Sequence, residues 1–151
     1  MTASDPVTTA RKDWMSLLAK APPARLDALF SDLERAPDFT WLRPPECGGV
    51  MVRGRMGGTG AAFNLGEMTV TRCALQLSSG EVGHGYVQGR DKRHAEQAAL
   101  VDALMQTGRA GEMRAAVLGP LAAERDVART SRAAKAAATR VEFFTMVRGE
   151  D

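Results

Sequence analysis

Val50 to Arg55 reads as a basic strand that runs into Gly57-Gly58-Thr59-Gly60 and continues as a second strand through Phe63-Asn64-Leu65-Gly66-Glu67. Glycines clustered in this way let a backbone turn sharply or approach a neighbour closely. Val50 and Val52 point to one side of the strand, and Met51, Arg53 and Arg55 to the other. A second junction repeats the theme: a strand over Val82 to Gln88 ends in the basic turn Gly89-Arg90-Asp91-Lys92-Arg93-His94-Ala95-Glu96, which opens a helix. Two such junctions suit either a phosphate-rich ligand or the acidic surface of a partner.

Apolar residues predict the rest of the framework. Trp14, Leu17, Leu18 and Ala21 have the i, i+3, i+4, i+7 spacing of an amphipathic helix that ends before Pro22-Pro23, and Leu26, Leu29, Phe30 and Leu33 repeat it. The two are expected to form a helical hairpin, with Pro37 stopping the second helix. Phe39 to Leu42 reads as a strand, followed by a turn at Pro44 to Gly49 before the Val50 strand. The strand from about Leu65 to Leu77 changes parity. Met68 and Val70 are even whereas Cys73, Leu75 and Leu77 are odd, which requires a bulge near Thr71-Arg72 or burial on both faces.

Gly83 and Gly85 share one face of the next strand and invite a helix or a partner backbone to pack closely. Asp91 is placed to cap a largely buried helix over Lys92 to Thr107, with Gly108 as its stop. Gly119-Pro120 is expected to divide a short helix from a longer one ending near Arg140. The longer helix is rich in alanine, which buries little area, and would be poorly held by its own domain. Val141 to Arg148 reads as a final strand. The expected architecture is a single α+β domain over residues 1–151, with an N-terminal helical hairpin, a four- to five-stranded mainly antiparallel sheet and C-terminal helices.

Composition narrows the chemistry. A formal charge of +2 leaves any affinity for anions to local patches. Cys47 and Cys73 are the only cysteines, and their separation indicates neither a disulfide framework nor a zinc site, in keeping with a reducing cytoplasmic setting. No leader pattern or membrane span is expected. The glycine loop lacks the Lys-Ser/Thr of a phosphate-binding P-loop and the third glycine of the dinucleotide fingerprint. His94-Ala95-Glu96 matches half of a zinc deaminase motif, but the paired cysteines are missing. No nucleophile elbow is present, so Glu67, Glu96 and Asp102 serve as general bases only if folding or a partner brings them to a substrate. Arg125, Arg129, Arg132 and Lys135 form a basic stripe without interleaved aromatic residues, which disfavours a single-strand nucleic-acid binder.

The runs Arg53-Gly54-Arg55-Met56-Gly57-Gly58-Thr59-Gly60, Phe63-Asn64-Leu65-Gly66-Glu67, Thr69-Val70-Thr71-Arg72, Gly83-His84-Gly85-Tyr86-Val87-Gln88-Gly89-Arg90-Asp91-Lys92, His94-Ala95-Glu96, Asp102-Ala103-Leu104-Met105-Gln106 and Phe143-Phe144-Thr145-Met146-Val147-Arg148-Gly149 together resemble the PhnG family. That family provides the small subunit of the carbon-phosphorus lyase core complex. The resemblance covers nearly the whole chain and is weakest in the first ten residues and from Arg109 to Thr139.

The resemblance implies a cytoplasmic role in phosphonate catabolism. The complex displaces adenine from ATP with methylphosphonate, giving alpha-D-ribose 1-methylphosphonate 5-triphosphate. PhnI is the implied direct partner, with PhnH and PhnJ completing an assembly that holds two copies of each subunit; neither nucleic acid nor membrane is implied. Iron-sulfur chemistry belongs to PhnJ, so no cofactor is expected on this chain and ATP enters as substrate of the complex. No catalytic residue transfers from the family pattern. The candidate phosphate-binding or subunit-contact residues are Arg53, Arg55, Gly57, Gly58, Gly60, Arg72, Arg90, Lys92, Arg93, His94 and Glu96, because arginine forks suit phosphates and a helix start favours anions. The alternatives are a non-catalytic assembly module of that complex and a small RNA-binding domain.

Overall fold

The computed structural model describes residues 6–33 and 36–140. Helix α1 (Pro6–Lys20) turns at Pro22 into α2 (Pro23–Ser31), whose first helical position is proline. A proline has no N–H to leave unsatisfied there. Three strands follow in the order β1-β2-β3: β1 (Phe39–Arg55), β2 (Ala62–Leu77) and β3 (Val82–Gln88), all antiparallel. Helix α3 (Lys92–Leu104) follows, then α4 (Ala110–Met113), a widened π turn (Arg114–Leu118) and α5 (Gly119–Ala138).

The architecture is α+β as expected, but the sheet among the described residues has three strands rather than four or five. Phe39 to Leu42 and Val50 to Arg55 are two parts of one strand, because Glu46 to Gly49 pairs with β2 and the chain runs on past the prolines instead of turning. Register shifts between Trp41 and Arg43 and between Arg43 and Glu46 absorb the two prolines on a strand that lies at the edge of the sheet. At an edge, a missing N–H need not break a ladder. The final strand expected over Val141 to Arg148 lies outside the described residues.

The parity change in β2 is resolved by burial on both faces: Val70 and Thr71 are both buried, while the β2–β3 register runs without a shift. Gly119-Pro120 does not separate two helices, since α4, the π turn and α5 run on without a break. Pro120 lacks an N–H and its ring crowds the preceding turn, which a π turn relieves. Helix α3 ends at Leu104, short of Thr107. Helix α2 ends at Ser31, several residues before Pro37.

Helix α3 forms the centre of the molecule. Asp91 caps it by accepting the His94 N–H at 3.0 Å. It is buried from His94 to Leu104 except at Glu96. One side rests on β3 and β2; α1, α2 and α4 close over the rest. The glycine face of β3 makes this approach feasible. A Cβ on Gly83 would lie 2.0 Å from the Ala99 carbonyl oxygen, and one on Gly85 would lie 2.1 Å from that of Ala95.

Asp102 is fully buried on α3 and gathers three elements. Its carboxylate accepts from Arg11 at 2.7 and 3.1 Å, from Trp14 Nε1 at 2.9 Å and from the His84 backbone N–H at 2.9 Å. It is therefore a structural carboxylate, and its oxygens are already committed to donors on α1 and β3.

Three substitutions test this account of stability. Gly85→Ala is expected to destabilise the fold by about 3 kcal/mol, at the upper end of overpacking costs because the obstacle is backbone. Gly48→Ala, which meets nothing within 4 Å, should leave the denaturation midpoint almost unchanged. Asp102→Ala strands the Trp14 and His84 donors and should cost about 3 kcal/mol, the low end for a broken buried pair because Arg11 can rehydrate. Urea unfolding of the purified variants measures all three.

Candidate functional site

Beyond the body of the sheet, β1 and β2 continue as a two-stranded ribbon that neither β3 nor a helix covers. Gly57 and Gly58 turn its tip with φ of 59° and 83°, backbone angles that side chains disfavour, and the Gly60 N–H closes onto the Met56 carbonyl at 2.8 Å. The expected strand-loop-strand is thus a hairpin.

Its two faces differ. Val50 and Val52 share one face with Met68, and the open flank of Gly54 on that face is occupied by Phe63 and Leu65. Met51, Arg53 and Arg55 occupy the other with Glu67 and Asn64. Leu65 is 66% and Met51 57% exposed, so apolar surface is open on both sides. Arg55 donates to the Gly60 carbonyl at 3.1 Å, and neither it nor Arg53 has an ion pair among the described residues.

At the base of the ribbon the β3–α3 turn is fastened to the sheet. Gly89 donates its N–H to the Thr69 carbonyl at 2.9 Å, the buried Thr71 hydroxyl donates to the Gly89 carbonyl at 2.7 Å, and Cys47 Sγ reaches the Arg90 carbonyl at 3.6 Å. The Arg90 backbone is held, and Arg90 lines a shallow polar cleft with Cys47, Gly48, Gly49, Glu67 and Thr69. A Cβ on Gly49 would fall on the Glu67 carboxylate, so this glycine makes room for that side chain.

The other candidate residues lie elsewhere, and Arg93, His94 and Arg72 among them are occupied. Arg93 pairs with Asp27 on α2 at 2.7 Å. Hydrogen bonds from Gln97 and then Arg93 hold the Asp27 carboxyl below the usual carboxylate range. His94 is buried and donates Nε2–H to the Leu18 carbonyl at 2.8 Å, which makes it a strut between α3 and α1. Arg72 pairs with Glu46 at 2.7 Å on the open face of the sheet, beside Tyr86. Lys92 is exposed at the start of α3, and Glu96 is half-buried.

The candidates therefore divide between the ribbon tip, the β3–α3 turn, the α2–α3 contact and the open sheet face. Arg53 and Cys47 are six residues apart on an extended strand, about 20 Å, so tip and turn do not converge on one phosphate. Sequence reasoning missed Thr71 and Cys47 as the groups that fasten the turn. The only signal was the parity change at Thr71, where a polar residue stands among buried positions.

The model for the family described as phosphonate metabolism protein PhnG matches residues 9–149. The chain belongs to the PhnG family. A relative from Rhizobium meliloti (strain 1021), the alpha-D-ribose 1-methylphosphonate 5-triphosphate synthase subunit PhnG, is 45% identical over 150 residues, covering 99% of this chain and 96% of the relative. The family match spans the ribbon, the fastened turn and the buried carboxylate alike. No helix among the described residues is long and apolar enough to cross a membrane.

The cysteines offer a check on this geometry. Cys47 is exposed. Burial pushes the Cys73 thiol up to about 11, and its Sγ–H donates to the Ala95 carbonyl at 3.2 Å. At pH 8 a thiol reagent should label one cysteine per native chain quickly, and both only after denaturation. Cys73 should become reactive in the folded chain only as the pH approaches that raised value.

Proposed function

We propose that this chain is a cytoplasmic, single-domain subunit of alpha-D-ribose 1-methylphosphonate 5-triphosphate synthase, and that it works by docking onto and shaping the subunit that carries the reaction. The complex transfers the ribose triphosphate moiety of ATP to methylphosphonate and releases adenine. PhnI is its direct partner, with PhnH and PhnJ in the same assembly and two copies of each subunit. ATP enters as substrate of the complex, and this chain contributes no cofactor of its own.

The observation that carries this reading is the near end-to-end 45% identity to a subunit bearing that name. Geometry favours docking over direct substrate chemistry. Arg72, Arg93 and the carboxylate of Asp102 are all spent on intramolecular partners, and Arg53 and Arg55 on the ribbon stand too far from the turn that carries Arg90 for all three to grip one triphosphate. A ribbon with apolar side chains exposed on both faces is instead the kind of surface that associates.

The test is an adenine-release assay with ATP and methylphosphonate, using the partner subunits with and without this chain. Turnover is expected only when the chain is present and co-purifies with them. Association without any change in turnover would reduce the role to assembly alone. Neither association nor turnover, together with salt-sensitive RNA binding by the isolated chain, would replace the proposal with the RNA-binding reading.

A further inference from the structure

The sheet has two edges, and the fold closes one of them. On β3 the Val82 carbonyl accepts from Arg11 at 3.2 Å and from Gln106 at 2.8 Å, and the outward His84 N–H is taken by Asp102. Side chains from α1, α3 and the turn just after α3 thus occupy that edge where a further strand would begin to pair. No comparable side-chain bond caps the outer edge of β1 over its second half among the described residues.

The backbone polarity of that edge follows from the ladder. The Gly89 N–H bonds to the Thr69 carbonyl, so Thr69 turns its polar groups towards β3, and Met68 and Val70 turn theirs towards β1. Val50 lies opposite Met68 and Gly48 opposite Val70, and these pair inward. Cys47, Gly49 and Met51 therefore turn N–H and C=O outward, and past the register shift at Val52 the alternation continues to Arg53 and Arg55. Five residues with outward groups form a row about 27 Å long, bounded on one side by Pro44-Pro45.

We infer that this edge, Cys47 to Arg55, receives one extended strand from another subunit of the synthase, whose side chains alternate between apolar and acidic. The inference rests on the reading given under Proposed function. Apolar side chains of the incoming strand would continue the Val50 and Val52 face, and its carboxylates would lie on the face of Arg53 and Arg55. Main-chain bonds supply affinity in such strand additions, and the alternating faces supply selectivity. A second copy of β1 fits poorly, because residues 47–55 contain no carboxylate to set against the arginines. The free edge of β2 is a weaker platform, since it is short and the register shift opposite Val52 interrupts it.

Met51→Pro tests the backbone separately from the side chain. It removes one outward N–H and places a ring in the path of an incoming strand, yet deletes no bond to β2. The isolated variant should keep its circular dichroism and melting profile. With the chain tagged and co-expressed with the other synthase subunits, Met51→Pro should weaken their retention by about tenfold or more, whereas Met51→Ala should retain them close to wild type. Equal retention by the proline variant overturns the inference, as does equal loss in the alanine variant, which would place recognition in the side chain. If Met51→Pro alters the melting or self-association of the isolated chain without affecting capture, the edge serves this chain's own tail or a second copy, and the inference also fails. Failure of the wild-type chain to retain any subunit would instead refute the functional reading on which the inference rests.

Discussion

The buried carboxylate of Asp102 organises the molecule. Burying a charge costs several kcal/mol unless partners replace its hydration, and here three residues replace it. Arg11 supplies the countercharge from α1, Trp14 adds an indole donor one turn later, and the His84 backbone N–H comes from β3. Each donor is drawn in because the charge would otherwise be stranded. In consequence the first helix is fixed against the central helix, and one edge of the sheet is capped.

Small residues complete that arrangement. Gly83 and Gly85 bring α3 so close to β3 that its carbonyls occupy the space of absent side chains, and Ala95, Ala98, Ala99 and Ala103 line the buried helix. Close approach shortens the reach from Asp102 to His84, so the glycine face and the carboxylate depend on one another. The opposite side of the molecule shows the reverse economy. The ribbon exposes Met51, Phe63 and Leu65, and α5 is exposed from Ala123 onward, with Val127 71% accessible. The core is finished, and the extensions are not.

Local signals in the sequence were read well where a single element generates them. The spacing of Trp14, Leu17, Leu18 and Ala21, the cap at Asp91, the glycine face at residues 83 and 85, and the division of Val50 and Val52 from Met51, Arg53 and Arg55 all appear in the structure. Misreadings arose where tertiary context outweighs a local rule. Pro44-Pro45 suggests a turn, yet an edge strand tolerates it through register shifts; Gly119-Pro120 suggests a break, yet a π turn absorbs it. The candidate site was legible as composition but not as geometry. Nothing local to Arg93 reveals that Asp27 neutralises it, and nothing near His94 reveals the Leu18 carbonyl.

A two-stranded ribbon is marginal in water by itself, because each strand pairs on one side only and little apolar area is buried between them. This ribbon adds a tip of glycines that loses more backbone entropy on ordering than other residues would. Its sequence nevertheless keeps strong β-formers at Val50, Val52 and Phe63, and at Arg53 and Arg55 charges that form no ion pair among the described residues. A chain selected only for its own stability would shorten such an extension or cover its apolar side. Retaining it, beside an edge left open while the opposite edge is closed by Asp102, Arg11 and Gln106, is understandable when the ribbon's missing contacts belong to another polypeptide. On that view two sets of arginines have different functions: Arg11, Arg72 and Arg93 in the body pair internally and hold the fold, and Arg53 and Arg55 on the ribbon form no ion pair until assembly supplies their counterparts.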